Sequence, residues 1–118
     1  MSARVLKEYF IVSLFLYEIW SFSMNGTLIF KSGQIFEIEV TNIIFSGDIP
    51  TKGRIDVTDN VLEQFSREAK ELGSWDAVKT IELSININGS VFHLDVLIDD
   101  LPLSKSLKFR TTVVLNKD

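Results

Sequence analysis

The sequence predicts an α+β fold in one domain. A mainly antiparallel sheet of about five to seven strands is packed on one face by an amphipathic helix, and a further apolar helix lies at the N-terminus. Three observations carry this. Apolar and polar residues alternate with a period of two over several segments between residues 26 and 115. One segment, residues 60–72, changes to the helical period. Alternation itself argues for strands with one buried face, because parallel strands buried on both faces read as unbroken apolar runs. At 118 residues the chain has the size of a single domain.

Residues 1–23 differ from the rest and form a separate segment ahead of the domain at residues 24–118. Tyr9, Phe10, Phe15, Tyr17, Trp20 and Phe22 lie here among aliphatic residues. The uncharged run at residues 9–17 is closed by Glu8 and Glu18, too short for a membrane span. Arg4 and Lys7 before it, and Ser21-Phe22-Ser23 after it, also fit a signal peptide, the alternative to a cytoplasmic location. Met24-Asn25-Gly26 opens a strand-like run, so the chain from Met24 is expected to fold without what precedes it. Read as a helix, the segment gathers Arg4, Lys7, Glu8, Glu18 and Ser21 into one sector and leaves most of its circumference apolar. Phe15, Tyr17, Trp20 and Phe22 are then expected to form a self-association surface, making a homodimer.

From Gly26 the period is two. Leu28 and Phe30 alternate with Thr27, Ile29 and Lys31; Phe36, Ile38 and Val40 alternate with Glu37, Glu39 and Thr41. Facing these apolar sets on one another requires an odd-length loop, so Ser32-Gly33 predicts a three-residue turn with Gly33 left-handed. Residues 42–45 continue the strand or bend at its end, and residues 46–53 are the expected mobile loop. Its glycines and lysine do not match the order of a phosphate-binding P-loop. A short strand at residues 54–57 leads to a helix with Asn60 as N-cap and Glu63 completing a capping box. Val61, Leu62, Phe65, Ala69 and Leu72 form its apolar stripe; Glu63, Arg67, Glu68, Lys70 and Glu71 are expected to face water. Gly73 ends it.

The clearest pattern is at residues 78–98. Ile81, Leu83, Ile85 and Ile87 alternate up to Asn88-Gly89, the dipeptide of a type I′ turn, and Phe92, Leu94, Val96 and Ile98 alternate after it. The two-residue turn pairs Ile85 with Phe92, Leu83 with Leu94 and Ile81 with Val96. Leu107, Phe109, Val113 and Leu115 extend the meander after a loop at residues 99–104.

On the opposite face the same register sets Glu82 against Asp95 and Ser84 against His93. A third strand pairing next to the second is expected to bring Lys108 to Asp95 and Arg110 to His93. Glu82, His93 and Asp95 are the candidate acid–base or weak metal cluster; the competing reading is a solvated charge ladder neutralised by Lys108 and Arg110. Asp99-Asp100 lacks the oxygen spacing of a calcium loop, since Leu101-Pro102-Leu103 follows. Asn25-Gly26-Thr27 and Asn88-Gly89-Ser90 match the glycosylation acceptor pattern.

Composition bounds the chemistry. The chain has 46% hydrophobic and 24% charged residues, a globular balance. With 12 basic against 16 acidic residues the net charge is -4, opposite to that of a protein that tracks nucleic-acid phosphates. It has no cysteine, which removes disulfides, thiolate metal sites and cysteine nucleophiles. A single histidine precludes a multi-histidine metal site within one chain. The sequence therefore points to a non-enzymatic protein-binding module, a regulator or inhibitor acting by surface contact on a protein partner, without cofactor, metal or membrane. The alternative is a small enzyme or ligand-binding domain using Glu82, His93 and Asp95.

Overall fold

The structure, a computed structural model, describes residues 23–99 and 104–118. In chain order they form strands β1 (Met24–Ile29), β2 (Ile35–Ser46) and β3 (Ile49–Asp56), then helix α1 (Asp59–Leu72) and a 3-10 turn (Asp76–Val78). Strands β4 (Thr80–Ile87), β5 (Ser90–Ile98) and β6 (Ser106–Lys117) follow. All neighbours pair antiparallel. The sheet is a closed barrel in the order β1-β2-β3-β6-β5-β4, with β4 returning to β1.

The open sheet under a helix is thus corrected to a barrel, and the reason is one of area. The helix at Asp59–Leu72 is about 10–12 Å across with its side chains, whereas six strands spaced about 4.8 Å apart present a face about 29 Å wide. One helix leaves most of that face wet. Closing the sheet buries the face against itself, so Leu28, Val40, Ile55, Leu83, Leu94 and Leu107 are all fully buried inside the barrel. No open apolar face is left for the expected N-terminal helix to cover, and that helix lies outside the described residues.

Local chemistry sets two of the hairpins as the pattern requires. In the first, Phe30 N–H donates to Gln34 O at 2.9 Å and Gly33 N–H donates to Phe30 O at 2.9 Å, with Gly33 at φ 93°. The second has Asn88 at φ 49° and Gly89 at φ 88°, the two positive values of a type I′ turn. Its register pairs Ile85 with Phe92, Leu83 with Leu94 and Ile81 with Val96.

Residues 46–53 are not a loop. Gly47-Asp48 alone turns the chain, and Pro50 already pairs with Phe45 in the β2–β3 ladder. A proline is tolerated there because the ladder is irregular between Thr41 and Phe45, where Asn42 takes φ 53°. Thr51 Oγ1 donates to Ile44 O at 2.9 Å across the irregularity.

Helix α1 is a lid. In the ring of six, β3 and β4 are three steps apart in either direction, so the chain between them must cross the whole mouth of the barrel. Phe65 points down into that mouth and is fully buried, its ring 4.8 Å from Phe30 in an edge-to-face contact. Crossing the mouth also buries Glu68, which the helical stripe leaves in water. Its carboxylate accepts from Gln64 Nε2 at 2.8 Å, Ser32 Oγ at 2.9 Å and Ser32 N at 3.3 Å, tying the lid to the β1–β2 turn. The N-cap is Thr58, two residues before the expected Asn60, and it makes no side-chain cap bond. Asn60 lies inside the first turn, so the Asn60–Glu63 capping box is corrected, and the helix ends at Gly73 with φ 82°.

Phe65→Ala and Leu94→Ala, one in the lid and one in the barrel, are each expected to cost about 2–5 kcal/mol. A domain of this size has about 5–15 kcal/mol in total, so thermal unfolding followed by circular dichroism should register both. Unchanged melting for either variant contradicts the inward faces assigned here.

Candidate functional site

The outer face of β4 and β5 carries the residues singled out from sequence. Glu82 stands opposite Asp95 and Ser84 opposite His93, as the hairpin register requires. His93 does not join the two carboxylates. Its Nδ1 is hydrogen-bonded to Ser84 Oγ at 2.8 Å and its Nε2 lies 3.3 Å from Asp118 Oδ2. Asn116 Nδ2 donates to the other oxygen of Asp118 at 3.1 Å. Serine, histidine and aspartate thus stand in contact order, the order of a nucleophile, its base and an orienting group. Ser84, however, is mid-strand and paired on both sides, with Thr27 and with His93. The backbone around it is engaged in the two ladders, β1 with β4 and β4 with β5. The chain of bonds anchors the end of β6 to β4, helped by the exchange of backbone hydrogen bonds between Val91 and Asp118 at 2.8 and 3.2 Å. Among the described residues, no group of three histidine or acidic side chains is close enough to hold a metal ion.

Lys108 and Arg110 are elsewhere than expected. Barrel closure shears β6 along β5, a displacement that closed barrels require. Arg110 pairs with Leu97, while Asp95 pairs with Val113 and His93 with Asn116. On its other side the first part of β6 pairs with β3, where Lys52 faces Arg110 and Arg54 faces Lys108. Four cations therefore form a two-by-two block on the barrel's outer face, like charge directly opposite like charge.

The side chain opposite Gly53 explains how the strands come so close. A Cβ on Gly53 would lie 3.0 Å from the Phe109 ring and 3.0 Å from Thr41 O. Glycine lets the inward Phe109 fill the space under the seam, while Lys52 and Arg54 on either side point out. Above them lies a groove of about 350 Å³ lined by Asn42, Ile44, Asp99 and the four cations. Asp99 holds Arg110 through Nε at 3.1 and 3.2 Å and Nη2 at 3.0 Å. Arg54 Nη1 donates to Ser106 Oγ at 3.3 Å. Among the described residues, Lys52 and Lys108 have no carboxylate within ion-pair distance.

Beyond Arg110, β6 leaves β3. Pairing between the two covers only Lys52 to Asp56 and Ser106 to Arg110. The β5–β6 ladder skips Thr112 and Leu115, and these two bulges bend β6 away. Val113 and Leu115, expected in the core, are 51% and 47% exposed; Val114 is 39% exposed.

The self-association residues Phe15, Tyr17, Trp20 and Phe22, and Asp100 of the acidic loop, lie outside the described residues. No helix among the described residues is long and apolar enough to cross a membrane. Comparisons with protein-family models, curated proteins and solved structures return no match.

Reversing one cation of the block should relieve cross-strand repulsion. Lys108→Glu, which sets a carboxylate opposite Arg54, is expected to stabilise the fold by about 0.2–1 kcal/mol. Urea unfolding at low salt reads this as a higher midpoint with an unchanged slope. A lower midpoint contradicts the opposition of Arg54 and Lys108.

Proposed function

We propose that this protein is a protein-binding module acting by surface contact, which takes an extended segment of a partner protein along the edge of β6. The observation that supports it is the bare stretch of that strand. β6 has 12 residues, and after Arg110 none of them pairs with β3. Among the described residues, the β3-facing side of residues 111–117 has no strand partner, beside the exposed side chains of Val113, Val114 and Leu115.

Proteins usually defend such edges with lysine, proline or a covering element, because an unpaired edge invites another chain. Here residues 111–116 read Thr-Thr-Val-Val-Leu-Asn, with no charge and no proline. A segment added as a strand gains main-chain hydrogen bonds from the edge and side-chain selectivity from the exposed valines and leucine. Arg110 and Lys52, at the point where β6 parts from β3, favour a segment with acidic side chains at that end.

A displayed library of extended peptides selected on the full chain tests this. Enriched peptides are expected to have an apolar centre and an acidic end. Binding should slow amide exchange in residues 111–117, and Val113→Lys should abolish it while leaving the melting temperature unchanged. Protection elsewhere on the barrel contradicts the proposal. So does sedimentation showing that wild-type chains pair with one another and that Val113→Lys separates them, since the edge then serves a second copy.

A further inference from the structure

We propose that the groove over the β3–β6 seam binds a small phosphate-bearing molecule, held by Lys52, Arg54, Lys108 and Arg110. This site adjoins the strand edge and shares Lys52 and Arg110 with the acidic end of the segment proposed above, but phosphate binding does not require that edge to be occupied.

The block is unusual first for its arrangement. Opposite charges across neighbouring strands stabilise a sheet and like charges destabilise it. Yet both pairs in the seam, Lys52 with Arg110 and Arg54 with Lys108, are cation against cation. Four of the 12 basic residues of a chain with net charge -4 are gathered here. The acidic neighbours cancel only one of the four charges. Asp99 is bound to Arg110, and Asp56 lies at the far end of the seam opposite Ser106. Against β3 on its other side stand Thr41 and Ile44, and against Arg110 on β5 stands Leu97; none is charged.

The geometry suits a phosphate. Strand spacing and the two-residue repeat put the four side-chain origins at the corners of a patch about 5 by 7 Å, a footprint for one or two phosphate groups. Asp99 engages Nε and Nη2 of Arg110, which fixes the guanidinium while its Nη1 donors make no bond among the described residues. An arginine held in this way is prepared for bidentate contact with an oxyanion. The groove is shallow and open, with Ile44 supplying an apolar wall beside the cations and Asn42, left-handed in the bulge, adding a polar one. Its volume of about 350 Å³ is at the small end of ligand sites. Duplex nucleic acid needs a longer basic track than two strands provide.

The test is titration of the full chain at low salt with pyrophosphate, with adenosine triphosphate and with a single-stranded oligonucleotide, followed by calorimetry and amide shifts. Both small phosphates are expected to bind and to shift the amides of residues 52–54 and 108–110. A gain for the triphosphate over pyrophosphate identifies an organic group lying against Ile44; equal affinity identifies the phosphates alone as the ligand. The double variant Lys52→Gln, Lys108→Gln should weaken binding about tenfold or more, the loss of one to two charge-assisted contacts. Its melting temperature should not fall, because repulsion has been removed. Lys79→Gln, which alters a cation paired with Asp76 away from the seam, should change affinity less than about twofold. Absence of binding by either phosphate overturns the proposal. Equal losses in the two variants, or an oligonucleotide binding more tightly than the triphosphate, overturn it as well.

Discussion

The pairing of β3 with β6 is the contact on which the rest of this molecule depends. Six amphipathic strands make an apolar face that a single 14-residue helix cannot cover. Joining the two strands that would otherwise be edges turns that face inward and removes it from water. The apolar side chains then need no second layer, and the helix is left with a smaller task at one mouth. The task follows from topology: the chain leaves β3 and must reach β4 on the opposite wall, so α1 crosses over the interior and places Phe65 in it. Glu68, bound by Ser32 and Gln64, fixes where the lid rests.

The same pairing creates the features that invite function. Bringing β3 against β6 sets four cations in opposition on the outside, an arrangement that works against folding unless an anion occupies it. Gly53 and the Phe109 ring beneath it show how little freedom the seam has to move them apart. Because β6 is longer than the stretch of β3 it joins, and bulged at Thr112 and Leu115, its second half stands clear with apolar side chains exposed. A small acidic barrel thereby presents a basic groove and a bare strand edge side by side, and both follow from where one ladder begins and ends.

Much of the local structure was legible in the residues. The β4–β5 register could be read from Asn88-Gly89 and the alternation around it, down to Glu82 facing Asp95 and Ser84 facing His93. The odd-length turn at Gly33 and the stripe ending at Gly73 were equally plain. Closure was not, because an inward face with a period of two looks the same under a helix as inside a barrel. The β2–β3 hairpin was hidden by its glycines and Pro50, which mark loops unless a bulge accommodates them. That concealed Lys52 in an expected loop and left Arg54 at the start of a short strand, although Lys-Gly-Arg has the alternation of a strand with two cations on one face. Lys108 and Arg110 were recognised as outward cations but given the wrong neighbours, since the shear that closes a barrel depends on the whole ring and on no single turn. Glu68 was assigned to water because a helical stripe records one buried face, and a lid is also touched by the loops at its rim.

The most direct measurement is the pattern of interstrand proton contacts in the nuclear magnetic resonance spectrum of the full chain. Closure predicts backbone contacts joining Lys52 to Arg110 and Arg54 to Lys108, with the intervening amides of β3 and β6 slow to exchange and contacts ceasing beyond Arg110. A spectrum without those contacts, in which β3 and β6 exchange as freely as edge strands, contradicts the barrel and both binding surfaces built upon it.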